Sequence, residues 1–246
     1  MTLVLLCIAI PSCKKERSQE TGKSPLTIRL HLIANGTGLR LGHPNTNDLG
    51  EDYTVSAFKF YLSNFSISGA QGASSAESES YHLADASDSS TLSFQIMLDT
   101  ISFDHIHFMI GVDSLRNVSG AQSGALDPTN GMFWTWNSGY IMAKLEGSSP
   151  SSPDPGQRFQ YHIGGYAGAE ATQRPVSLSF PGNRLYLLQA NKSLTLTMDV
   201  DLDKWFRSAH DLPIAAIPFM ETPGPVSVQY ADNYANMFSV TNIFTP

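Results

Sequence analysis

An all-β fold, an antiparallel sandwich or barrel-like single domain with long ordered loops and a short C-terminal helix, is predicted by three features of this sequence. Apolar and polar residues alternate in about eight short segments. Turn residues separate these segments, and no long amphipathic helical pattern occurs. A chain of 246 residues with 41% hydrophobic content can build one sizeable core of this kind.

The first strand is expected where Leu26, Ile28, Leu30 and Leu32 alternate with Thr27, Arg29 and His31. A second runs from Val55 to Ile67 and carries Phe58, Phe60 and Phe65. Residues 69–80, rich in Ser, Ala, Gly and Glu, predict a solvated loop. Alternation returns at Leu92, Phe94, Ile96 and Leu98, and again where Phe103, His105 and His107 oppose Ile106, Phe108 and Ile110. Gly111 to Asn130 has turn chemistry without periodicity, which predicts a long ordered loop of the kind that carries function. Further strands are expected at 158–163, 175–180, 184–189 and 193–202, after a Ser/Pro/Gly breaker at Ser148–Gly156. Asp203–Ser208 suits one helical turn, and Asn233–Val240 a short C-terminal helix.

Residues 1–12 are apolar and too short to span a bilayer as a helix. They end at Cys13, between Ser12 and the polar Lys14-Lys15-Glu16, which resembles a bacterial lipoprotein signal with Cys13 as the lipidated residue. An ordinary secretory signal would equally export the chain. Residues 13–24 read as a flexible tether and 25–246 as the domain. The expected location is periplasmic or cell-surface, anchored by lipid at the outer membrane. With Cys7 removed and Cys13 acylated no thiol remains, so disulfide, blue-copper, zinc-ribbon and iron–sulfur chemistry are excluded. The net charge of −7, with no basic stripe, excludes nucleic acid.

No Gly-x-Ser-x-Gly elbow or other nucleophile signature is present, and an enzyme is not expected. Asp199, Asp201 and Asp203 alternate on one strand face; they read as a solvated face, with calcium not excluded. Histidine remains as the metal-binding resource, since neutral imidazole suits copper or zinc. His105 and His107 share one strand face, a geometry that can chelate one ion or simply face solvent. His31 lies opposite its strand's leucines. His162 shares a face with Gln160, while Phe159, Tyr161 and Ile163 take the other. The most unusual stretch is Gly131–Gly147, in which Trp134 and Trp136 stand two apart and project to one side of an extended backbone.

These segments resemble the MbnP-like family of exported copper-binding proteins. The likeness is carried by Phe60-Tyr61-Leu62-Ser63-Asn64, Gly111-Val112-Asp113 with Asn117, and Leu126-Asp127-Pro128. It continues through Gly131-Met132-Phe133-Trp134-Thr135-Trp136-Asn137-Ser138-Gly139-Tyr140, Lys144-Leu145-Glu146-Gly147, Tyr161-His162-Ile163-Gly164 and Asn233–Phe238. The resemblance implies a β-rich domain holding one copper ion through histidine nitrogens and a kynurenine, made from tryptophan by a dihaem partner of the cytochrome c peroxidase type. Carried onto this chain, it implies His162 as first ligand, His31 as second with His105 and His107 as rivals, and Trp134 or Trp136 as the oxidised residue. Two other functions stay open at this point: a metal-free surface module binding a ligand or protein, and a metal-dependent enzyme.

Overall fold

The computed structural model describes residues 22–69, 72–120, 122–135, 139–189 and 192–245. Cys7, Cys13, the expected signal and most of the tether lie outside these residues, as does Trp136. No helix among the described residues is long and apolar enough to cross a membrane.

Strands dominate, as expected. The ones that build the core and the site are β1 (Ser24–Ala34), β2 (Asp52–Ser68), β3 (Tyr81–Asp85), β4 (Ser93–Leu98) and β5 (His105–Ile110). They continue with β6 (Phe133–Thr135), β7 (Gly139–Ser148), β8 (Arg158–Gly164), β9 (Arg174–Ser179), β10 (Leu194–Asp201) and β11 (Phe238–Phe244). Three helices are short: α1 (Ser114–Asn117), α2 (Asp203–Phe206) and α3 (Pro225–Tyr234).

One sheet is ordered β11-β10-β1, with β4 also on β1. The larger is ordered β9-β5-β2-β7-β8, with β3 on β2 and β6 on β7. Period-2 alternation places Leu26, Ile28, Leu30 and Leu32 of the first sheet in one buried cluster with Phe58, Phe60, Leu145, Phe159, Tyr161 and Ile163 of the second. Phe238 of β11 packs edge-on against Phe60 and Phe108, with ring centroids 5.8 and 5.1 Å apart, which joins the two sheets. Trp205 of α2 closes the core against Phe58, Tyr161, Tyr230 and Tyr234.

Five local expectations are corrected. β1 and β10 run parallel, in register from Leu26↔Leu194 to Ile33↔Asp201. Strands β2, β5, β7, β8 and β9 of the larger sheet intervene between them in sequence, so no hairpin constrains their direction. The helix near the C-terminus is Pro225–Tyr234, and the following segment is β11. Pro225 favours the first helical turn, whereas Phe238 and Val240 pair with Val200 and Met198 of β10. The expected 184–189 strand shrinks to Tyr186–Leu187, and the 69–80 loop contains a short strand at Ser74–Ala76. Asp203 leaves the β10 face to begin α2, where it is buried and accepts the Asn35 backbone N–H at 2.8 Å.

Candidate functional site

The long loop after β5 folds over the outer face of the larger sheet. Tyr61, Val112, Leu126, Met132, Tyr140, Ile141 and Met142 form a second buried cluster there, with Phe133, Trp134 and Tyr166 packed at its edge. Buried Asn117, in the last turn of α1, ties this layer together. Its amide donates to the carbonyls of Val112 (2.7 Å) and Asp113 (3.0 Å), and its Oδ1 accepts the Tyr140 N–H at 2.9 Å. Gly139 is obligatory beside it, because its φ is +72° and a Cβ would lie 2.3 Å from Asn117 Oδ1.

Trp134 sits where this layer ends. β6 pairs with β7 through Phe133↔Tyr140, with an irregular register between Phe133 and Thr135. The six-membered ring of Trp134 lies over Gly164 of β8: a Cβ there would be 2.5 Å from Cζ3 and 2.9 Å from Cη2. Gly164 and His162 project from the same face of β8, about 7 Å apart for two residues of strand. The fold therefore brings Trp134 and His162 to one place.

His162 is mostly covered, with 14% of its side chain exposed. Its Nε2 is 2.6 Å from Glu146 Oε1, and its Nδ1 is 3.5 Å from Glu221 Oε1. Lys144, opposite His162 in the β7–β8 ladder, donates to the Gly131 carbonyl at 2.7 Å and lies 3.8 Å from Glu146. Burial holds the Lys144 ammonium below the ordinary lysine range, against the opposing pull of Glu146. Lys144 thus fastens the turn that leads into the Trp134 segment to the strand that carries Glu146. Sequence alternation makes Lys144 and Glu146 neighbours on one strand face, but only the antiparallel register puts them against His162. Nothing in the local sequence marks Glu221.

The other candidates lie elsewhere. His31, 57% exposed, is on the outer face of the smaller sheet, where Nδ1 meets Asp199 Oδ1 at 3.1 Å. The shared core separates that face from His162. His105 and His107 are on the larger sheet, with His107 opposite Ser66 of β2. The Lys144–His162 row meets β2 at Lys59, seven residues earlier, hence about 20 Å along the strand. Asp199 faces His31, Asp201 lies 3.8 Å from Lys204, and Asp203 is buried in α2, so these three do not line one face. Among the described residues no group of three or more His, Cys, Asp or Glu side chains is arranged to hold a metal ion.

A sequence model of the MbnP family matches residues 23–223. Among solved structures, MbnP from Methylosinus trichosporium is similar at 16% identity with a TM-score of 0.54, covering 77% of this chain and 80% of that one. That likeness concerns the fold. No curated protein matches the chain.

Proposed function

The chain belongs to the MbnP family, and from that premise we propose that it is an exported copper-binding protein that holds one copper ion beside His162. The single observation that carries this reading is the convergence of the one mostly covered histidine of β8 with Trp134, packed on Gly164 two residues further along the same face.

The residues present suit such an ion in two respects. An imidazole with a carboxylate at each nitrogen is the arrangement in which one nitrogen can ligate while the other is oriented by a carboxylate. The imidazole and carboxylates alone do not complete a metal site, as the lack of any ready three-residue group among the described residues illustrates. A further donor is needed close by. Conversion of Trp134 to kynurenine would open the pyrrole ring and present an aniline nitrogen and a ketone where indole offers only an N–H. Bound there, copper would serve as cargo or a stored nutrient, and the protein catalyses nothing itself.

In this reading His162 binds, Glu146 and Glu221 orient it or supply oxygen donors, and Lys144 holds the Trp134 segment in place. His31 stays outside the site because it sits on the other sheet. Trp134 is half-buried at the edge of its layer, where an external oxidant can reach it. That agrees with maturation by a dihaem enzyme of the cytochrome c peroxidase type. Lipidation at Cys13 would anchor the domain at the outer membrane.

The test is the copper content of protein purified from its native host, for wild type, His162→Ala and His31→Ala. Relative to wild type, H162A is expected to lose one copper per chain and H31A none. Copper lost in H31A and kept in H162A would overturn the assignment.

A further inference from the structure

The geometry points to a second metal site on the outer face of β5, independent of the first, at which His105 and His107 chelate one copper ion beside Met109. These three residues alternate on the half-exposed side of the strand, while Ile106, Phe108 and Ile110 face the core. The two imidazoles lie side by side: their planes differ by 6° and their centroids are 6.1 Å apart.

Each ring has one nitrogen engaged and one left for a ligand bond. Nδ1 of His105 is 2.7 Å from Asp104 Oδ1, which fixes the ring. Nε2 of His107 is 2.7 Å from the Ser68 hydroxyl. Metal–imidazole bonds are about 2.0–2.1 Å long, so chelation requires the half-exposed side chains to rotate until both free nitrogens converge on one ion. The facing residues of β9 are Ser177 and Ser179, both exposed, and the His105 side chain is 43% exposed.

Imidazole favours late first-row ions over magnesium or calcium, and the thioether of Met109, one step along the same face, adds a soft donor of the kind that selects Cu⁺. A groove of about 400 Å³ beside His107, lined by Asn64, Met109 and Pro175 among others, leaves room for an ion with its waters. This site lies about 20 Å from His162 along β2, so the two can be loaded separately.

The experiment is titration of the full chain with Cu⁺, kept reduced under anaerobic conditions, and with Zn²⁺ in a His162→Ala background, which silences the first site. One ion bound in H162A is expected, with affinity falling about tenfold or more when His105→Ala or His107→Ala is added. No binding in H162A, or binding unchanged by both added substitutions, would overturn the site. Met109→Leu should narrow the preference for copper over zinc; an unchanged preference would overturn the assignment to copper. Loss or retention of copper at His162 in the native protein is read separately, so failure of one site does not mask the other.

Discussion

The indole of Trp134 occupies the space that a side chain at position 164 would need. An ideal Cβ on Gly164 would be 2.5 Å from Trp134 Cζ3 and 3.1 Å from the Tyr140 carbonyl oxygen. Gly164→Ala should therefore push the indole off β8 and lower stability by about 1–3 kcal/mol, the usual cost of overpacking. Urea midpoints for G164A, W134A and the double variant check this. The alanine should cost clearly less once the indole is gone, apart from its contact with the Tyr140 carbonyl.

Glu146 makes the shorter of the two carboxylate contacts to His162. Glu146→Gln keeps its shape and removes its charge, so copper affinity should fall about 10–100-fold while the thermal midpoint changes little. Competition against a chelator of known affinity measures the first quantity and thermal melts the second. Glu221, 48% exposed and further from the ring, should matter less.

Asn117 is the pin of the layer that supports Trp134. Asn117→Ala strands the Tyr140 N–H in a buried setting and leaves the Val112 carbonyl only its Gln173 Nε2 donor at 3.1 Å, at a cost of about 1–3 kcal/mol. Hydrogen exchange should show early loss of protection at Tyr140 and Ile141, with the β1–β10 ladder unaffected.

Asp85 is one carboxylate whose environment makes stability depend on acid pH. Burial alone would raise its pKa, but the Lys59 ammonium at 2.8 Å and the Ser87 hydroxyl and N–H outweigh that and hold it below the ordinary aspartate range. A depressed folded-state pKa contributes stability that is full above the unfolded value near 3.8 and is lost as pH falls through the folded value. Asp85→Asn should therefore flatten the stability–pH curve below about pH 4 relative to wild type, with little change in its slope at neutral pH.

Much of the strand architecture was legible because it rests on local alternation. The leucines of β1, the aromatics of β2 and the Phe159/Tyr161/Ile163 face of β8 are buried as their periodicity requires. Partners in register were not legible, since pairing is decided between segments far apart in sequence. That is why Glu146 and Lys144 were missed beside His162, and why β10 could be found as a strand without its parallel direction. His31 and His162 read alike in sequence, each a lone histidine on the polar side of a strand. Only the stacking of the two sheets places their polar sides on opposite exteriors of the domain. The α3–β11 boundary was misplaced because Asn233–Phe238 spans a helix end and a strand start, where propensity is weakest.

The central claim, a copper site built from His162 and an oxidised Trp134, is tested most directly by the peptide-level mass of the Trp134–Trp136 segment from protein purified with its copper from the native host. A net exchange of one carbon for one oxygen is expected, localised by fragmentation to Trp134. An unmodified segment in a copper-loaded protein, or a modification confined to Trp136, would contradict it.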